Sequence, residues 1–281
     1  MTVTNSKSGT LYVIATPIGN LEDISHRAIK ILKQIEVCAA EDTRKSRKLF
    51  NFFGIETKLV SYHKYSEQGK LNYLIEILKK GKNVGLISDA GTPLISDPGY
   101  LLIREASKLK ITISPIPGAS SLTASLSVSD LPVNSFTFYG FPPKRGKSRE
   151  LFMNNLREAK HTSVIFESGK RIEKFLQELI ISTPNRNIFI ARELTKLHES
   201  FYRGSIKEVL EKIRTSETAR KGEFVLMISG ITRESLSEDI SPEERRIIQI
   251  LLKNLPKSQA LTLGAEIFGI SKNSLYKKLI P

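Results

Sequence analysis

The chain has 281 residues, with 43 Lys+Arg against 29 Asp+Glu, a net charge of +14. At 40% hydrophobic and 26% charged residues it has a globular composition, which excludes disordered, collagen-like and coiled-coil classes. A single cysteine, Cys38, excludes an intrachain disulfide framework and a multi-cysteine zinc site. No apolar run approaches the ~18 residues of a membrane span. The polar start MTVTNSKSGT, followed by the strand-length LYVIA, is not a secretory leader. The expectation is a soluble cytoplasmic enzyme that contacts no membrane. The cationic excess is densest over 241–281 and suits an anionic macromolecular partner.

In chain order, LYVIATP (11–17) reads as a buried strand and SHRAIKILKQI (25–35) as an amphipathic helix. The strand VCAAE (37–41) precedes the basic helix TRKSRKLFNFFG, which ends at Gly54. KLVSYH is strand-like, and LNYLIEILKKG (71–81) is a helix with a glycine stop. NVGLISD (83–89) and ITISPIPG (111–118) are strands, and SSLTASLSV a helix of small residues. Short links between alternating strands and helices predict an α/β fold with a largely parallel sheet.

The turn cluster Asp130-Leu131-Pro132 divides this half from a second alternation: SFTFYGF, SRELFMNNLREA, TSVIFE, KRIEKFLQELI, NIFIARELT, SIKEVLEKI and EFVLMISG. After the polar ITRESLSEDIS, Ser241-Pro242-Glu243-Glu244 fits a helix start with a capping box. A second helix pair follows, turning at Phe268-Gly269-Ile270 and capped by Ser271, in helix-turn-helix pattern. Such a motif would present Lys272, Asn273, Ser274 and Tyr276; the alternative is a small helical cap with a basic outer face. The expected domains are an N-terminal α/β unit (1–130), a C-terminal α/β unit (131–235) and a helical extension (236–281).

The tract Gly85-Leu-Ile-Ser-Asp-Ala-Gly-Thr-Pro-Leu-Ile-Ser-Asp-Pro-Gly99 runs from a buried strand into two tight turns. Ligands of open α/β sheets sit beyond the carboxyl ends of strands. Asp89 stands there to accept from a ribose or amine, Gly91 allows close backbone approach, and Asp97 and Pro98 are expected to cap and begin the next helix. Ordinary turn chemistry is the plainer alternative. Thr16-Pro17-Ile18-Gly19-Asn20 and Pro117-Gly118-Ala119-Ser120-Ser121 follow two other strands and could line the same pocket.

Gly140-Phe-Pro-Pro-Lys-Arg-Gly146-Lys147-Ser148 imitates a P-loop, but five residues separate its glycines where the pattern needs four. Pro142 and Pro143 also remove amide donors. Lys144, Arg145, Lys147 and Arg149 still suit phosphate contacts. Glu41-Asp42-Thr43-Arg44-Lys45-Ser46-Arg47-Lys48 reads either as a dipole-matched helix start with a solvated basic face or as an RNA-contacting helix at a pocket rim. The four histidines lack metal-ligand spacing, and no Gly-x-Ser-x-Gly elbow occurs.

Together TPIGNLEDIS (16–25), AAEDTRKSRKLF (39–50), LISDAGTPLISDPG (86–99), PIPGASSLTASL (115–126), GFPPKRGKSR (140–149), ARELTKLHE (191–199) and GEFVLMISG (222–230) resemble the small-subunit 16S rRNA (cytidine-2′-O)-methyltransferases. These form a branch of the tetrapyrrole (corrin/porphyrin) methylase superfamily, and the similarity spans residues 10–281. The resemblance implies two α/β domains with S-adenosylmethionine in the cleft between them, a homodimer, and methyl transfer to the ribose 2′-hydroxyl of a cytidine in the decoding region of 16S rRNA. By position it implies that Pro17, Asp89, Gly91, Thr92, Ser120 and Ser121 hold the cofactor, approached from the second domain by Glu167, Ser168, Glu193 and Thr195. Arg44, Lys45, Arg47, Lys48, Lys144, Arg145 and Lys147 are the expected RNA contacts. Asp42 and Glu193 are the candidate proton acceptors; the alternative for each is pairing with Arg44 or Arg192. Two competing readings are a methylase of tetrapyrroles or other small molecules and a non-catalytic RNA-binding protein.

Overall fold

The computed structural model describes residues 8–63, 67–215, 218–231 and 242–268, with 272, 275 and 276. The chain builds two five-stranded sheets. The first contains β1 (Thr10–Ile14), β2 (Val37–Ala40), β3 (Lys58–Ser61), β4 (Val84–Ile87) and β5 (Thr112–Ile116), in the order β3-β2-β4-β1-β5. Every pairing in it is parallel. Helices α1 (His26–Gln34), α2 (Thr43–Phe52), α3 (Glu67–Lys79) and α4 (Tyr100–Lys108) connect these strands, and α5 (Ser121–Ser127) follows β5. β2 and β4 are buried along their whole length, as a parallel sheet covered on both faces demands. Gly85 shows how closely a helix sits: a Cβ there would meet Ile35 Cδ1 at 2.5 Å.

Local chemistry accounts for several boundaries. Ser25 caps α1 by accepting from the Ala28 amide at 3.1 Å, and α1 buries Ala28 and Leu32. The helix expected over 71–81 begins four residues earlier, at Glu67. The expectation for Asp97 and Pro98 does not hold. Gly99, at φ 131°, precedes the helix, no side chain caps it, and α4 starts at Tyr100. Residues 94–99 are instead a loop in which Leu94 and Ser96 also take positive φ, so Pro98 lies before the helix.

The second sheet contains β6 (Phe136–Gly140), β7 (Thr162–Ser168), β8 (Asn187–Arg192), β9 (Ser200–Ser205) and β10 (Glu223–Ile228), in the order β6-β7-β10-β8-β9. Here the parallel expectation is corrected: only β6 and β7 run parallel, while β10 is antiparallel to β7 and β8, and β8 to β9. β9 is an edge strand that the sequence reading passed over; its SFYRGS is too polar to announce itself. Helices α6 (Lys147–Glu158), α7 (Gly169–Ser182) and α8 (Ile206–Arg214) cover one face of this sheet in a core including Phe175, Leu176, Leu179 and Leu226. The other face, through Val164, Phe189, Ala191 and Val225, packs on Leu122 and Leu126 of α5 and on Ile18 after β1. That apolar seam brings the carboxyl edge of the first sheet against the second.

Helices α9 (Pro242–Asn254) and α10 (Lys257–Phe268) share a small core of Ile248, Leu261, Ala265 and Leu275. Gly264 allows their approach, since a Cβ there would meet Ile248 Cδ1 at 2.6 Å. Ser241 and Ser271, expected to cap, the expected turn at Gly269-Ile270, and Asn273 and Ser274 lie outside the described residues. Lys272 bonds Ser258 at 3.0 Å, and Lys257 sits 5.4 Å over the Tyr276 ring.

Candidate functional site

Three loops at the carboxyl edge of the parallel sheet converge. Thr16 and Gly91 exchange two backbone hydrogen bonds, at 2.9 and 3.0 Å, stitching the loop after β1 to the loop after β4. The Thr92 hydroxyl donates to the Ala119 carbonyl at 3.3 Å, tying in the loop after β5. Gly91 needs its missing side chain: its φ is +85°, and a Cβ would lie 3.2 Å from Ile18 Cγ2.

A cavity of about 280 Å³ opens between these loops and the second sheet. Its two walls differ in chemistry. The first sheet contributes Glu41, Asp89, Gly91, Thr92, Asp97, Ser120 and Ser121. The second contributes an apolar patch of Phe141, Phe166, Ala191, Leu194 and Val225, with Lys196 and Glu223 charged beside it. Asp89, Gly91, Thr92, Ser120 and Ser121 were all expected at such a site. In sequence Glu41 looks like a helix start or a pocket rim, Asp97 like a cap within the candidate binding tract, and Phe141 and Phe166 like loop and strand; acidity or aromaticity beside a strand end is the signal they carry.

The acidic wall is electrostatically tense. Asp89 is held on both oxygens, by the Asp42 amide at 2.9 Å and by Lys45 Nζ at 2.7 Å. Burial, then repulsion from Asp89, raises the Glu41 carboxyl above its ordinary range. Burial, then the neighbouring Glu41, raises Asp97 to about 7, against a hydrogen bond from Ser88 that pulls it down.

A second cavity of about 500 Å³ adjoins the first. The two share Ile18, Lys45, Asp89, Ala90, Lys196 and Glu223. Pro17 lines this second cavity, not the first, together with Lys48, Leu49 and Phe52 from α2.

The other expected residues are placed as follows. Asp42 caps α2, accepting from the Arg44 amide at 2.9 Å and from the Arg44 guanidinium at 3.1 and 2.8 Å. These bonds hold its carboxyl far below the usual range. Glu193 pairs with Lys196 at 3.0 Å and accepts from the Glu223 amide at 2.8 Å; burial pushes its carboxyl up, but these bonds bring it below its ordinary value. Arg192 makes no hydrogen bond to it, donating instead to the carbonyls of Lys221, His198 and Thr218, but its charge helps to lower the Glu193 carboxyl. Thr195 accepts from the Asn20 amide at 3.1 Å, fastening the loop after β1 to the second half. Glu167 and Ser168 line neither cavity. Glu167 is buried against Arg171 at 2.7 Å, and Ser168 stands at the start of α7. Arg44, Arg47, Lys144, Arg145 and Lys147 are exposed. Arg149 is taken up by Glu178, at 2.9 Å from Nε, and by the Pro143 carbonyl at 2.6 Å, so it is not available for phosphate. Among the described residues, no group of three or more His, Cys, Asp or Glu could hold a metal ion.

A parallel sheet joined to a mixed sheet, with a ligand-sized cavity at the seam, is a two-sheet α/β architecture built to hold a small molecule. The model for Tetrapyrrole (Corrin/Porphyrin) Methylases matches residues 10–210, and the RsmI C-terminal HTH domain matches residues 238–280. The chain belongs to the tetrapyrrole methylase family and, within it, to the group of its curated relatives called ribosomal RNA small subunit methyltransferase I. It is 38% identical to the Haemophilus influenzae protein of that name, covering 96% of each chain. It is 42% identical to the Xylella fastidiosa protein, covering 96% of this chain and 99% of that one. Among solved structures, a diphthine synthase superposes with a TM-score of 0.62 at 17% identity, covering 80% of this chain and 91% of that one. The cobalt precorrin-4 methyltransferase superposes with a TM-score of 0.56 at 17% identity, covering 81% and 98%. At such identities these two likenesses concern the fold alone.

Proposed function

We propose that the protein transfers a methyl group from S-adenosylmethionine to the ribose 2′-hydroxyl of a cytidine in the decoding region of 16S rRNA, acting on the small ribosomal subunit as a cytoplasmic homodimer. The observation that carries this reading is the two-faced cavity at the seam of the sheets, opening beside a basic helix. Its chemistry fits the cofactor. The carboxylates of Glu41, Asp89 and Asp97 suit a sulfonium and an ammonium, the Gly91 backbone and the Thr92, Ser120 and Ser121 hydroxyls suit polar atoms, and Phe141, Phe166 and Val225 suit a flat purine. Bound there, S-adenosylmethionine supplies an electrophilic methyl group.

The work left to the chain is positioning. Glu193 and Thr195 act at one remove, fixing Lys196 and the loop after β1 at the junction of the cavities. The hydroxyl must lose a proton as its oxygen is alkylated, and water at the junction of the cavities can carry it away, oriented by Asp89, whose own oxygens are held by the Asp42 amide and Lys45 Nζ. The exposed cations of α2 and of 144–147 position the RNA through its phosphates without reading sequence. That relatives named for small-subunit rRNA match 96% of the chain, and that residues 238–280 match the C-terminal domain model as well, supports the substrate assignment. No described helix is long and apolar enough to cross a membrane.

Calorimetric titration of S-adenosylmethionine into wild type and Asp89→Ala, followed by mapping of the methyl group on 30S subunits, tests the proposal. Saturable binding that is weakened in the variant, with methyl on a cytidine ribose, is expected. Methylation of a tetrapyrrole instead, or RNA binding without methyl transfer, would overturn it.

A further inference from the structure

Four residues of α2, Lys45, Lys48, Leu49 and Phe52, line the larger cavity. They stand at i, i+3, i+4 and i+7, so they share one helical face. That spacing ordinarily makes an apolar stripe facing a core. Here only Leu49 behaves so, at 9% exposed, whereas Phe52 is 65% exposed. Phe52 is also held in orientation, edge-to-face with Phe53 at a centroid distance of 4.9 Å. An aromatic face fixed at the mouth of a cavity, one turn from a lysine, has the chemistry of a stacking platform beside a phosphate contact.

The rest of the lining agrees. Lys45 is committed to Asp89 at 2.7 Å, while Lys48, one turn before Phe52, is exposed. Pro17, Ile18 and Leu21 give the inner wall an apolar character suited to one edge of a base or sugar. At about 500 Å³ the cavity is of the size ordinarily filled by one small ligand. It meets the smaller cavity at Asp89, Lys196 and Glu223, so an occupant would present its reactive oxygen there.

We infer that the larger cavity is the acceptor subsite and takes a single nucleotide extruded from the RNA, its base stacked on Phe52 and its phosphate on Lys48. This rests on the function proposed above and extends it: the target is unstacked from its neighbours so that its base fills the cavity against Phe52 while its ribose faces the donor.

The test uses the full-length protein, 30S subunits lacking the modification and labelled S-adenosylmethionine. Wild type, Phe52→Ala, Phe52→Trp and Lys48→Ala are compared for kcat/KM on the subunits, for S-adenosylmethionine affinity by calorimetry, and for melting temperature. Because Phe52 is exposed, its truncation leaves the fold intact. Phe52→Ala is expected to lower kcat/KM about tenfold or more, the scale of one lost base stack. Its cofactor affinity stays within about twofold of wild type, since Phe52 lines only the other cavity. Phe52→Trp restores activity, and Lys48→Ala lowers kcat/KM more at low salt than at high, because added salt weakens the same phosphate contact in wild type. Wild-type kcat/KM in Phe52→Ala overturns the inference while leaving the proposed function standing. A wild-type protein that neither binds S-adenosylmethionine nor methylates 30S subunits overturns the proposed function, and the inference falls with it.

Discussion

Asp97 and Asp42 exchange the parts that their sequence positions suggest. Asp97, two residues before a glycine and a helix, looks like a cap; Asp42, in a charged EDTR tract, looks reactive. In the fold Asp97 faces a cavity and shares it with Glu41 and Asp89, while Asp42 spends its oxygens on Arg44. Burial and repulsion hold the Asp97 carboxyl at about 7, above the ordinary aspartate value near 3.8. Between these two values the folded protein keeps a proton that the unfolded chain has released, so stability falls as pH rises through that window. Asp97→Asn is expected to flatten the fall in Tm between about pH 4 and about pH 7. The same carboxylate, once ionised, favours a cationic ligand. S-adenosylmethionine affinity should therefore rise as pH passes about 7 in wild type and change less in the variant, which titrations at several pH values would read. An unchanged affinity profile in Asp97→Asn would remove Asp97 from the binding wall.

At the scale of elements, α2 does three things at once. Its N-terminus is capped by Asp42, its first turn fixes Asp89 through the Asp42 amide and Lys45, and one face lines the larger cavity. Asn caps as well as Asp does, whereas Ala does not. If Asp42 serves as a cap, Asp42→Asn keeps methylation within a few-fold of wild type, and Asp42→Ala costs about 1 kcal/mol of stability in denaturant titration. A collapse of kcat in Asp42→Asn with stability intact would return Asp42 to the role of proton acceptor. Elements of this kind are readable in sequence because the signals are local: Ser25 as a cap, the buried VCAA of β2, and the apolar spacing of α1 all foretell what forms. Strand direction is not local. The reversal of β9 against β8 depends on 193–199, where Glu193 and Thr195 take positive φ, and on an edge strand whose Phe201 and Tyr202 are flanked by Ser, Arg and Gly. No periodicity announces either.

At the scale of the molecule, the loops of the first sheet were legible because Gly, Pro, Asp and Ser cluster at strand ends, but the opposite wall was not. Phe166 and Val225 look like ordinary strand interior, and only the seam over α5 turns them toward a cavity. Charge behaves the other way: it is fully visible in sequence, and its function emerges only when the fold sets α2 and the 144–147 loop in exposed positions. A net charge of +14 makes association with RNA release counterions. Binding to 30S subunits should then weaken steeply with salt, the logarithm of the association constant falling by ~0.7–0.9 per phosphate neutralised. Arg47→Ala and Lys144→Ala, both at exposed cations outside the cavities, should each reduce that slope by about one contact and leave S-adenosylmethionine affinity unchanged. Binding measured over a salt series separates the two surfaces: a reduced slope for Arg47→Ala alone would confine the RNA to α2, and a reduced slope for Lys144→Ala alone would confine it to the loop before α6. Reduction in both, adding in the double variant, is expected if the RNA spans the seam and delivers its ribose between the two sheets. A wild-type slope in both variants would move the RNA off both surfaces.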